Sequence, residues 1–152
     1  MNNNGQQPEQ VETMKTQEQL IERYQQVADN DFFGAKRGDL AKYMTRESLA
    51  AVGAPVSDDQ AHLIGKPLTR DAVLAEMHNY MTFAWDKANN ERGLSAGRSI
   101  NHFEAWLWLL GDEEALAFAE DAENYPDYGR PILHYICERF GFPVADESAE
   151  VV

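Results

Sequence analysis

Few side chains in this chain are suited to chemistry, so their types and spacing come first. The histidines are His62, His78, His102 and His134, and the single cysteine is Cys137. No histidine sits in an HExxH or HxxxH pattern, the spacing that puts two metal ligands on one helical face. One cysteine can build neither an intramolecular disulfide nor a cysteine-based zinc site. No metal and no cofactor is therefore expected. Cys137 and His134 are three apart and share a helical face. Catalytic Cys–His pairs usually come from two elements that orient each other, so Cys137 reads as a small core hydrophobe. The chain has no GxSxG elbow, and no catalytic residue is assigned.

Two sets of residues are candidates for binding. Asn89 to Ser99 reads NNERGLSAGRS, between two strongly apolar segments. Ser95, Arg98 and Ser99, with backbone amides at a helix start, have the chemistry to hold an anion. The pattern matches neither the P-loop nor the dinucleotide fingerprint. His78 and His102 join this set if the helices carrying them pack antiparallel. The second set is an interaction surface. Trp106 and Trp108 are two apart and point roughly 200° from one another on a helix, so both cannot face one core. Trp108, Tyr125 and Tyr128 are types enriched at interface hot spots. The acids Glu113, Glu114, Glu120 and Asp121 lie between them in sequence.

Charge narrows the classes of partner. The 152 residues carry a formal net charge of -13. Residues 112–152 hold 11 acids and 2 bases, and residues 1–111 hold 15 acids and 11 bases. The excess is concentrated in the last quarter. Nucleic-acid binding needs a basic footprint, which this balance lacks. Ala88 to Trp106 superficially suggests a helix-turn-helix around Gly93-Leu94-Ser95, but its outward face offers Glu104 rather than a row of bases. Adhesion to anionic membranes is disfavoured by the same charge. The longest apolar run is Ala105 to Leu110, far short of the roughly 20 residues of a membrane span. With no signal-peptide pattern at the start, a cytoplasmic location is expected.

The elements that must position these residues read as helices throughout. Thr16 and Gln19 have capping-box spacing ahead of Leu20, Ile21, Tyr24 and Val27. Asp39 is placed as the cap of a second helix, which Thr45 breaks or restarts before Gly53 and Pro55. A short turn is expected around Asp58 to Leu63. Thr69 caps the third helix, whose Val73, Leu74, Met77, Tyr80, Met81, Ala84, Trp85 and Ala88 keep helical spacing. A fourth runs from about Ser99, or one turn earlier, to Leu110. It is apolar on almost every side, so it is either central or covered by a partner. A fifth follows Asp112, and its buried face is expected to include Leu116, Phe118, Ala119 and Ala122. The sixth has Pro131 in its first turn, then Gly141, Phe142 and Pro143 as a stop.

The expected fold is all-α: a compact single-domain bundle of five to six helices over residues 14–143. Residues 1–13 are expected to be a disordered segment and residues 144–152 an acidic tail. The functional expectation is a non-catalytic protein–protein interaction or regulatory module that engages another protein or itself. One alternative is a nucleic-acid mimic filling the basic groove of a DNA-binding protein or nuclease. Another is an anion- or small-ligand-binding protein using the Asn89–Ser99 loop.

Overall fold

A computed structural model describes residues 14–31, 34–90, 94–124 and 129–143. Among them are seven α-helices and two 3-10 turns, and no strand. The helices are α1 (Gln17–Val27), α2 (Ala35–Ala41), α3 (Arg46–Ala51), α4 (Arg70–Asn90), α5 (Leu94–Leu110), α6 (Glu113–Ala122) and α7 (Gly129–Phe140). The all-α expectation holds. The count exceeds five to six because residues 35–51 form two short helices rather than one. The expected segments 1–13 and 144–152 lie outside the described residues.

Local signals account for most boundaries. Thr16 and Gln19 exchange both capping-box hydrogen bonds at the start of α1. Thr45 accepts from the Ser48 amide and so restarts the chain as α3. The Thr69 hydroxyl accepts from the Ala72 amide at the head of α4. Asp112 accepts from the Ala115 amide and begins α6. At the end of α7, Gly141 adopts φ 76°, a left-handed conformation that a Cβ disfavours. This lets the Phe142 amide donate back to the Cys137 carbonyl at 2.9 Å.

Two expected starts are corrected. Asp39 does not cap the second helix: α2 begins four residues earlier, and Asp39 sits buried inside it. The missed signal is Asp31. Its buried carboxylate accepts from the amides of Lys36 and Arg37 at 3.1 and 2.9 Å, satisfying the first turn of α2. The other correction concerns α5, which starts at Leu94, ahead of both Ser95 and Ser99. Leu94 and Ser95 are helical, and Gly93 lies outside the described residues.

Helix α5 is the centre of the bundle and packs against α2, α4, α6 and α7. Its Ile100, Phe103, Ala105, Trp106, Leu107, Leu109 and Leu110 are all buried. This settles the two-sided apolar pattern: the chain's own helices cover it, so it does not require a partner. Leu20, Met44, Leu49, Met77, Leu133 and Ile136 complete the core from the surrounding helices. Cys137 is buried among them, as a core hydrophobe. No described helix is long and apolar enough to cross a membrane.

Candidate functional site

Two regions collect the polar and aromatic chemistry of the described residues. The first is a charged seam where α2 crosses α5, with α4 packed alongside α5. Lys36 and Asp39, three apart on α2, share one face. Lys36 Nζ meets Glu104 Oε1 at 2.9 Å, and Asp39 Oδ2 meets His102 Nδ1 at 2.6 Å. Residue numbers rise along α2 as they fall along α5, the register of an antiparallel crossing. From α4, Glu76 accepts from the Trp106 indole at 3.0 Å. Lys42 lies between the two carboxylates, 3.7 Å from Asp39 and 3.5 Å from Glu76. Tyr80 packs its ring 4.8 Å from His102 and 5.6 Å edge-on to Trp106.

Burial makes this seam electrostatically costly. Glu104 is 1% exposed and Asp39 3%. Burial pushes the Asp39 carboxyl above its ordinary range, against the opposing pull of the His102 hydrogen bond and the charges of His102 and Lys42. Tyr43, at the end of the same crossing, is pushed up by burial first and by the nearby Glu76 carboxylate second. Its hydroxyl is buried and makes no well-formed hydrogen bond among the described residues, as is true of Glu104 Oε2. A carboxylate on Nδ1 of a histidine orients the ring, the arrangement used where Nε2 acts as a base or ligand. No group of three or more metal-ligating side chains occurs among the described residues.

The second region is an open groove of about 520 Å³ between α4, α6 and α7, lined by Trp85, Phe118, Arg130, Pro131, His134, Tyr135 and Glu138. Phe118 stays 38% exposed and stacks on Tyr135, with ring centroids 4.2 Å apart and planes 13° from parallel. Arg139 donates to the Tyr135 hydroxyl at 3.3 Å and grips Asp112 with two nitrogens at 2.7 and 3.0 Å. That fork raises the Arg139 guanidinium above its ordinary value, the Asp112 hydrogen bond being the main cause. Trp85 forms the floor; it is buried, with the Cys137 thiol close to its indole nitrogen.

The acids named from sequence are spread around α6, and none of them lines the groove, whose one acid is Glu138. Residues 112–124 hold six acids and no base. Glu113, Glu114, Glu120 and Asp121 are all exposed on α6. Bases of other elements meet some of this charge: Arg139 lies 3.5 Å from Glu114, Arg23 of α1 feels Glu120, and Lys36 of α2 feels Glu123. Glu114 and Asp121, at i−4 and i+3 from Phe118, share its stripe.

The remaining candidates fall in different places. Trp108 is half-buried on the outer side of α5, with Lys15 and Arg23 over its ring at 4.6 and 5.4 Å. Cation–π contacts thus join it to the N-terminal segment. His78 and His102 take different partners: His78 stacks on Phe142 at 5.0 Å, while His102 enters the charged seam. His134 lies 3.8 Å from Glu138. Tyr125 and Tyr128 lie outside the described residues, as do the side chains of Ser95, Arg98 and Ser99.

Sequence reasoning missed Asp39, Glu76 and Phe118 as site residues. Helical spacing put Phe118 on the buried face of α6, but it shares a stripe with Glu114 and Asp121 and stays 38% exposed. Asp39 and Glu76 had no usable signal, because their partners lie 63 and 30 residues away. Comparison with protein-family models, curated proteins and solved structures finds no match to this chain.

Proposed function

We propose that this protein is a non-catalytic interaction module that engages a basic partner protein through α6. One observation carries the reading: α6 and its caps hold six acids and no base, and the same helix exposes Phe118. Acids steer a basic partner in and fix its register, and an aromatic side chain supplies area that water does not favour. The net charge of -13 adds long-range attraction of the same sign. The charged seam serves architecture in this reading, cross-bracing α2 to the centre.

The test is a titration of isotope-labelled protein with oligolysine at low salt, followed by NMR. Amide shifts are expected to cluster on residues 113–121 and to vanish at high salt, where exposed charges are screened. Shifts scattered over the surface, or concentrated on another element, overturn the reading.

A further inference from the structure

We infer that the groove between α6 and α7 holds an apolar anchor side chain of that basic partner, presented by an amphipathic segment lying along α6. The inference rests on the proposed function and adds the chemistry of the bound segment. The groove volume, about 520 Å³, falls in the range that accepts a large side chain. Its Phe118–Tyr135 stack forms a flat aromatic wall held from behind by the Arg139 hydrogen bond to Tyr135. The hydrogen bond and the stack both restrain Tyr135, which lowers the entropic cost of docking.

Charge selects among occupants: Arg130 and Glu138 of the lining balance each other, and the excess charge beside the groove is that of the α6 acids. A second copy of this chain would bring the same six acids of residues 112–124 against Glu114 and Asp121. The chain's own last residues, 144–152, carry Asp146, Glu147 and Glu150 and no base, so they meet the same repulsion. A segment with Lys or Arg on one face and Leu or Phe on the other matches both features. Its bases lie over α6 and its apolar residue enters the groove, the helix-in-groove mode of recognition.

The experiment uses three synthetic helical peptides and fluorescence anisotropy on the full chain. The first is Lys-rich with Leu at i and i+4, the second has both leucines replaced by Ser, and the third replaces Lys by Glu. The first is expected to bind at least tenfold more tightly than the second, and the third not at all. Phe118→Ala and Tyr135→Ala are expected to erase the difference between the first two while circular dichroism stays unchanged. If both Lys-rich peptides bind equally to the native chain, the groove inference falls and the acidic-docking reading stands. If neither Lys-rich peptide binds, both fall. A mass doubling in sedimentation that Phe118→Ala abolishes makes the second copy the occupant and overturns the inference.

Discussion

The charged seam and the aromatic groove use similar residue types in opposite ways. In the seam, ionisable groups are buried and paired, and aromatic rings pack around them. In the groove, Phe118 reaches solvent against a half-buried Tyr135, and Arg130 and Glu138 line the opening. The difference follows from what each region is packed against. Helix α2 crosses the central helix α5, so Lys36 and Asp39 lose water and must find Glu104 and His102. Helices α6 and α7 lie on one side of α5, and their outer faces keep water. Polar groups in the seam therefore specify how helices dock, whereas those at the groove remain open to a second molecule.

The largest effect is expected in the seam. Glu104→Ala strands the Lys36 ammonium in a largely buried position and costs about 3 kcal/mol in urea unfolding, by the usual penalty for breaking a buried pair. Replacing both partners, Lys36→Met with Glu104→Leu, is expected to restore most of that loss. A double variant as unstable as the single one contradicts the pairing.

The next effect is a pH dependence at Asp39. Its carboxyl holds a proton to higher pH in the folded chain than its ordinary value of 3.8. Its favourable contribution is complete below that value and is lost as pH rises through the raised one. Native protein is therefore expected to lose stability relative to Asp39→Asn as pH rises from below 3.8 through the raised value. A relative gain over that window reverses the sign and refutes the account. The groups facing Asp39 are His102, Lys42 and Glu76, so Glu76→Gln is expected to shrink the effect, since Glu76 is one cause of the rise.

Asp112→Ala removes the cap of α6 and both hydrogen bonds of the Arg139 fork. A loss of about 1 kcal/mol is expected from the cap. Smallest for the fold is Phe118→Ala, where about 1 kcal/mol or less of stacking is lost. Its consequence should lie in binding instead. If Phe118→Ala destabilised the chain as much as Glu104→Ala does, the groove would belong to the architecture and the contrast would fail.

How much could be read in advance depended on the range of each signal. Caps and stops at Thr16, Thr45, Thr69 and Gly141 are local, involving hydrogen bonds across three to five residues, and they were legible. Asp39 had the same local signature as a cap, yet α2 runs through it. Asp31 had already satisfied the amides of the helix start, and Asp39 was needed by His102. The apolar excess of α5 was legible as a choice between centre and interface. Packing by α2, α4, α6 and α7 decided for the centre.

By itself, the sequence determined that the chain is helical, where most helices begin and end, and that its acidity gathers after Gly111. These follow from side-chain periodicity, capping chemistry and composition, all short-range or additive properties. Only the tertiary structure decided which acids are buried and which face water, because that depends on which helix covers each one. It buried Glu104 and Asp39 in the seam, left Glu113 and Asp121 outside, and set the exposed Phe118 against the half-buried Tyr135, seventeen residues away.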